Sequence, residues 1–548
     1  MIPWLNASIG QYVNEHFGLL VSFQTVCILL YFLETVVTSI VFSQFIDHGS
    51  FSPTAIRNVV ILFTAKAVLS TLKSYLELRL FPAMFSWFRN HLFSMYLHIQ
   101  EVRFDDRTVS ADMRNLNEAI QLVQPVWFWV MTEIIPACLM MLFLIVYFSV
   151  KHPPVGLIQL TSSALAVFFG RQTLNKMDAS FAERFAAYNE VLNDLDEKAQ
   201  NVMNVVLFNQ VQSSLDDHVR KEETWLPKYQ AECKEVEWMT KKVMWCINIS
   251  TGLSLGWMYK HSTRKDFVQS LLIFSFYTQT TERVLDYVPE MMRNLSRLKL
   301  LARALSDKIF HLDKVVRPFS NQDARIHAGR IDFRNVSFAY EEKEKDEVTT
   351  LPLVLSRLRW TVPAGSRVAL LAPSGSGKTT LIKLLLDLYT PNAGEILVDG
   401  FPVHSIETSH LRDSIHYVNQ RTLLFHDTVL NNVMYGVPSS VTRDEVTQLM
   451  DRYGLRGILG DLDKMVDYGG NNLSLGMQKV IFLLRGMLRT NARILVLDEP
   501  LSSLDPQTRR SVVQMIRDQI GSRTLIVITH DDVGDLVQSS VPLQSLQS

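Results

Sequence analysis

Cysteine is scarce in this chain. Four occur in 548 residues (Cys27, Cys138, Cys233 and Cys246), in no metal-binding spacing and with none beyond residue 246. That pattern argues against a disulfide framework or a cysteine-bound zinc, and predicts thiols buried as small apolar groups. Charge of one sign is missing too. Lys and Arg number 54 against 55 Asp and Glu, for a net charge of -1, so no nucleic-acid partner is expected. The opening MIPWLNASIGQYVNEHFG has no basic stretch of the kind that starts a cleaved leader. There is no internal repeat. Mean hydropathy is only +0.09, yet this average joins two unlike halves, and the length alone calls for more than one domain.

Up to about residue 290 the chain carries long apolar runs. A helix needs some twenty mostly apolar residues to cross a bilayer. Six stretches qualify as candidates: Phe17–Phe42, Ile56–Leu78, Val126–Val150, Pro154–Gly170, Val243–Tyr259 and Phe267–Tyr287. The third, VWFWVMTEIIPACLMMLFLIVYFSV, carries the strongest signal. Short turns join the first to the second, the third to the fourth and the fifth to the sixth. The two remaining connections are long and show apolar residues at three- and four-residue intervals, so they read as helices running far out of the membrane and back. Glu34, Lys66 and Glu133 fall inside candidate spans. Each such charge costs about 2.5–3.5 kcal/mol on insertion scales, so they should face a cavity or a partner, and a Glu34–Lys66 structural pair is the favoured reading.

From about residue 325 the pattern becomes short strands, turns and charged helices. Strand-like RVALLA (367–372) leads into PSGSGKTT and then helical LIKLLLDLY. A glycine-rich loop between a strand and a helix cradles phosphate with its backbone N–H groups. Ser374, Gly375, Ser376 and Gly377 supply that loop, with Thr380 closing it. Lys378 is placed to neutralise β- and γ-phosphates, and the Thr379 hydroxyl to ligate Mg²⁺. Ala372 stands where this motif starts with glycine. It costs about 1 kcal/mol if positive φ is needed there, and nothing otherwise. Further on, ILVLDEP (494–500) is an apolar strand ending in two acids, Asp498 to hold Mg²⁺ and Glu499 to polarise the attacking water. TLIVITHD then ends a second apolar strand at His530, within reach of a γ-phosphate.

These residues, in this order, resemble the ATP-binding-cassette (ABC) family across nearly all of Ile331–Val533. By that resemblance Tyr340 stacks on adenine, Gln420 senses Mg²⁺ and couples the motor to the membrane helices, and Asp505 bridges two motors. The family signature Leu-Ser-Gly-Gly-Gln reads here Leu473-Ser474-Leu475-Gly476-Met477. Ser474 and Gly476 are implied to present a hydroxyl and a backbone N–H to the γ-phosphate bound by a second subunit. Leu475 and Met477 depart from the pattern, and Tyr468 replaces an acidic residue common before it.

The resemblance implies a multidomain protein of the exporter-type half-transporter class. An all-α polytopic membrane domain (1–315, about six helices) would lead through a linker (316–330) to an α/β P-loop NTPase domain of ABC type (331–548). The turns near Arg103–Arg114 and Phe208–Asp216 would dock on the motors, and EEKEKDE (341–347) would be a solvated loop. Basic residues in the long connections place them in the cytosol with the N-terminus. Lys260, Arg264 and Lys265 vote the other way, and the need to meet cytosolic ATP decides. The expectation is therefore an ATP-hydrolysing multi-pass transporter using ATP and Mg²⁺ and moving an unknown substrate across a lipid bilayer. A second half-transporter completes it, a homodimer being favoured over a heterodimer. The alternative is a catalytically weak or regulatory half-transporter that needs a distinct partner.

Overall fold

The computed structural model of the chain describes residues 3–48, 53–102, 109–309, 324–344, 347–350, 352–373, 375–419, 423–530 and 533–547. The chain divides into two compact units, the second starting at Val315.

The first unit is helical. Its longest helices are Pro53–Val102, Pro153–Gln200, Val211–His261 and Arg264–Ile309, of 50, 48, 51 and 46 residues. At 1.5 Å per residue each is about 70 Å long, more than twice the ~30 Å hydrocarbon core, so each must run well beyond a membrane. Pro53 and Pro153 open their helices, where the missing N–H has no partner to lose. Among the described residues, four stretches are long and apolar enough to span: Phe17–Ser43, Pro53–Glu101, Asp112–Lys151 and Pro153–Thr173. The fifth and sixth expected spans are helical but fall short of that apolarity, being punctuated by Ser, Thr, Asn and Gln.

Those polar residues have structural work. Val236, Met239, Val243, Ile247, Ser250, Ser254 and Met258 form one buried stripe along Val211–His261. Against it, Gln159 donates to Ser254 (3.1 Å) and Ser162 to the Cys246 carbonyl (3.0 Å), as polar side chains do between membrane helices. At the short turns Lys151 pairs with Asp266 at 2.7 Å. Lys66 and Glu34 form the expected ion pair at 2.8 Å. Cys27 alone of the four thiols is fully buried, and Cys138 is exposed, contrary to the expectation for it.

Toward the other end, a six-residue helix, Val202–Leu207, leads into a turn at Asn209 (φ 53°) before Val211 resumes. The expected short helix thus lies one turn before Phe208–Asp216; its Val202, Met203, Val206 and Leu207 are exposed. Of Arg103–Arg114, residues 103–108 lie outside the described residues. Close by, Asp194 accepts from Lys198 (2.7 Å), His218 (2.9 Å) and Lys221. Desolvation pushes its carboxyl up, but the three donors together hold it well below the usual carboxylate range.

The second unit is α/β. A parallel sheet has the order β11-β5-β10-β9-β8, with β5 at Arg367–Leu371, β8 at Ile415–Val418, β9 at Ile494–Asp498, β10 at Thr524–Thr529 and β11 at Ser539–Pro542. β9 and β10 are buried along their whole length, as parallel strands covered on both faces must be. An antiparallel sheet, β4-β1-β6-β7, packs beside it, from Leu355–Val362, Ile331–Phe338, Ala393–Val398 and Phe401–Pro402. The described residues of the acidic run 341–347 are strands and not the expected loop. Glu341–Glu344 (β2) and Glu347–Thr350 (β3) pair antiparallel, a hairpin that its charge pattern conceals.

Candidate functional site

Strand order builds the site. β5, β10 and β9 are parallel neighbours, with Leu371 opposite Thr529 and Ile528 opposite Asp498. The phosphate loop, His530 and the acidic pair all follow the carboxyl ends of those strands, where α/β sheets bind their ligands.

After β5 the loop turns through Gly375 (φ 79°) and Gly377 (φ 93°), and Gly377 caps the helix Lys378–Leu385. A Cβ on Gly377 would sit 3.0 Å from the Leu355 and Val354 side chains, so both space and backbone call for glycine. Ala372 has no positive φ and is buried in the sheet core, so its replacement of glycine costs nothing. The Ser376 hydroxyl donates to the Pro373 carbonyl at 2.8 Å. Thr379 is exposed at the helix start and Thr380 is buried. Ser374 lies outside the described residues.

Lys378 reaches across to Glu499, Nζ to Oε1 3.4 Å. The same oxygen lies 2.8 Å from His530 Nδ1. Glu499 takes φ 51° immediately after β9, and its N–H donates to the Ile528 carbonyl at 2.8 Å. The lysine at the end of the loop and the imidazole thus meet at one oxygen of the carboxylate.

Asp498 is buried. The Tyr417 hydroxyl donates to its Oδ2 at 3.0 Å, while Oδ1 has no partner among the described residues. Burial pushes this carboxyl up, against the Tyr417 hydrogen bond and the Lys378 charge. A buried acceptor left open beside a phosphate loop suits a divalent cation, so Asp498 with Thr379 fits Mg²⁺. Gln420, the other residue assigned to it, lies outside the described residues.

Ser474 caps the helix Leu475–Leu488 and accepts from the Met477 N–H at 3.2 Å. Leu475 is exposed, whereas Met477 packs on the core formed with Val480 and Leu483. A Cβ on Gly476 would lie 3.2 Å from the Ser503 carbonyl. Asp505 caps the helix Pro506–Gln519, accepting from the N–H groups of Gln507 and Thr508 at 3.0 and 3.1 Å. Tyr340 meets Phe338 and Tyr389 edge-on and holds Thr380 through a 3.0 Å hydroxyl contact. Its hydroxyl ties it to the helix of the phosphate loop.

Two contributors escape sequence reasoning. Tyr417 is a strand aromatic until the fold sets it beside Asp498. Lys479 reads as one polar residue in an apolar helix, yet its ammonium donates to the Glu499 carbonyl (2.6 Å) and to Ser502 Oγ (2.5 Å). Burial pulls its pKa down, against the charges of Glu499 and Asp498.

Comparison with known proteins agrees with this geometry. The ABC transporter family model matches residues 355–502. An ATP-dependent lipid A-core flippase of Haemophilus influenzae (strain 86-028NP) is 35% identical over 206 residues, 37% of this chain and 34% of that protein. The match thus spans about a third of the flippase's length. The uncharacterized ABC transporter ATP-binding protein YknV of Bacillus subtilis (strain 168) is 25% identical over 457 residues, 81% of this chain and 72% of its own. A bacterial Atm1-family ABC exporter solved with ATP bound superposes with TM-score 0.75 at 19% identity, over 96% of this chain and 92% of that one. The chain thus carries an ABC transporter domain behind a helical half, and as a whole it has the fold of an exporter-type ABC half-transporter.

Proposed function

We propose that the chain is the ATP-hydrolysing subunit of a membrane exporter and works as a homodimer, with its ABC domain in the cytosol. The supporting observation is the meeting of Lys378, Glu499 and His530 at one carboxylate oxygen beside the open, buried oxygen of Asp498. ATP is the substrate of this site. The loop N–H groups bind its phosphates, Lys378 neutralises them, and Tyr340 stacks on the base. Glu499 orients and deprotonates the attacking water, and His530 holds Glu499 while facing the γ-phosphate. Thr379 and Asp498 would hold Mg²⁺, which spreads the charge that develops on the phosphates.

One chain holds one phosphate loop and one signature helix among its described residues. A second copy would therefore supply Ser474 and Gly476 across the interface, with Asp505 beside them. Closure on ATP and release after hydrolysis would be passed on through the long helices, whose exposed apolar turn at Val202–Leu207 suits docking on a motor. Retention of Glu499 and His530 in contact favours an active motor over a regulatory subunit.

The test is ATP turnover by the purified full chain beside Glu499→Gln. Turnover of the order of 1 s⁻¹ or more, lowered at least about 100-fold by the substitution with ATP still bound, is expected. Binding without turnover in the unmutated chain would overturn the homodimer and point to a distinct partner subunit.

A further inference from the structure

Among the charges within the candidate spans, which also hold Arg57, Lys73, Glu77, Glu282 and Asp286, two pairs join different helices. Lys66 meets Glu34 at 2.8 Å. Arg283 approaches Glu133 at 3.9 Å, and the Tyr31 hydroxyl donates to the same Glu133 oxygen at 2.5 Å. Counted from the short turns at one end of the bundle, Glu34 and Lys66 are about 14 residues in and Glu133 and Arg283 about 18, or roughly 20 and 28 Å along their helices. Both levels fall inside a hydrocarbon core, where ionised groups are retained for function more often than for stability.

The backbone marks the same level. Among the described residues the two π-helical turns are Leu33–Val37 and Val130–Ile134, and each contains one of the two carboxylates. Such turns in long helices concentrate at functional sites.

Within each pair the two members are unlike. The carboxylates of Glu34 and Glu133 are 25% and 18% exposed, the cations of Lys66 and Arg283 46% and 50%. Glu133 Oε2 accepts from the Tyr31 hydroxyl. The Arg283 guanidinium lies 5.8 Å over the Tyr31 ring and 3.9 Å from Glu133, and it hydrogen-bonds the Tyr31 side chain. One helical turn from Arg283 stands Tyr287, and one turn from Glu133 stands Trp129. Their rings stack at 5.7 Å. A half-exposed guanidinium therefore sits beside an aromatic wall at membrane depth.

We propose that Arg283, backed by Tyr31 and flanked by Trp129 and Tyr287, is a recognition point for an amphipathic anion, and that this is the substrate class of the transporter. A carboxylate or phosphate would take the open side of the guanidinium as a bidentate pair, with its apolar body along Trp129 and Tyr287. Glu133 keeps Arg283 placed while the site is empty. The assignment of this ligand as cargo rests on the transport reading above; the binding itself does not.

The experiment is calorimetric titration of dodecyl phosphate into the full chain in phosphatidylcholine nanodiscs without nucleotide, with empty nanodiscs subtracted. Saturable binding is expected for dodecyl phosphate and none for dodecyltrimethylammonium. Arg283→Gln should weaken binding about ten-fold or more and Arg283→Lys less, because charge remains but the fork is lost. Glu133→Gln is expected to tighten binding by freeing the guanidinium, a sign that general loss of folding does not produce. Equal binding by Arg283→Gln, weakening by Glu133→Gln, or preference for the cationic amphiphile would overturn the proposal. Nanodiscs enriched in phosphatidylglycerol separate the sources. A raised dissociation constant identifies a lipid headgroup and an unchanged one a water-soluble anion, and either result keeps the anion site. Anion binding in a chain that fails to hydrolyse ATP would leave the site standing and remove the transport reading alone.

Discussion

His530 Nδ1 lies 2.8 Å from Glu499 Oε1, and the two side chains differ sharply in setting: the imidazole is 61% exposed and the carboxylate 8%. Since a carboxylate only accepts, the proton belongs to Nδ1 and the histidine donates. The contact fixes the buried acid from the side on which the nucleotide's phosphates would arrive. Histidine thus orients Glu499 from the exposed side of the site.

Removing that imidazole should therefore act on the chemical step. For His530→Ala, kcat for ATP is expected to fall by about two orders of magnitude, with KM within about three-fold of the parent. Steady-state kinetics decides this. A parallel rise in KM would show that His530 acts mainly in binding.

Lys479 links the signature helix to the same acid by another route. Its ammonium donates to the Glu499 carbonyl and to Ser502, on either side of a turn in which Glu499 (φ 51°) and Ser503 (φ 63°) both hold left-handed backbone. Such conformations cost about 1–3 kcal/mol each unless their surroundings enforce them. Lys479→Met should let the turn relax, lowering kcat about ten-fold while ATP affinity holds, because Lys479 touches no residue of the phosphate loop. Lys479→Arg should restore part of the loss, since guanidinium can reach both acceptors. If kcat is unchanged in Lys479→Met, the link carries no catalytic weight.

The signature departs from its family pattern at Leu475 and Met477, and the two positions differ in the fold. Met477 turns onto the core and gives only its N–H to the Ser474 cap. Met477→Gln is thus expected to leave turnover within about two-fold, at a cost of about 1 kcal/mol for placing an amide against apolar neighbours. Ser474→Ala removes the cap, worth about 1 kcal/mol, together with the hydroxyl assigned to the partner's nucleotide, and should lower turnover at least about ten-fold. Paired ATPase and thermal-melting measurements separate the two effects.

How much of this was legible beforehand follows the range of the interactions. Gly375 through Thr380 read as a phosphate loop because neighbours in the chain make that loop. Asp498, Glu499 and His530 read as partners because each ends an apolar run, and parallel strands bring such ends together. Lys479 and Tyr417 depend on which helix and strand lie beside β9, so they carry no local pattern. Likewise nothing in the sequence near Arg283 announces that Tyr31 and Glu133, some 250 and 150 residues earlier, stand beside it. The hairpin at 341–350 hid behind its charges, since pairing without an apolar face leaves no alternation to read. The spans from Val243 and Phe267 were legible as helices by length and position more than by hydropathy, since Ser250, Thr278 and Thr281 turn back on carbonyls of their own helices and Ser254 meets Gln159 of another.

A pH dependence of stability follows from His416. It lies on β8, where burial first, and then the charges of Arg489, Arg485 and Arg523, bring its pKa from 6.5 down to about 3. The ring packs where a side chain on Gly486 would stand, and its Nδ1 lies 3.3 Å from Arg489 Nη1. A histidine with a depressed folded pKa is neutral in the native state, so between pH 3 and 6.5 the unfolded chain binds the extra proton. Stability from this group is complete above about pH 6.5 and is lost as pH falls through that window. Between pH 6.5 and 5 the loss is about 2 kcal/mol, at roughly 1.4 kcal/mol for each pH unit. Thermal unfolding of the ABC domain within the full chain, followed from about pH 7 to pH 5, should show the fall. His416→Gln should show a shallower slope over the same range, because glutamine takes up no proton there. Equal slopes in both proteins would assign the acid sensitivity to other groups, such as His410, whose pKa burial also lowers from 6.5.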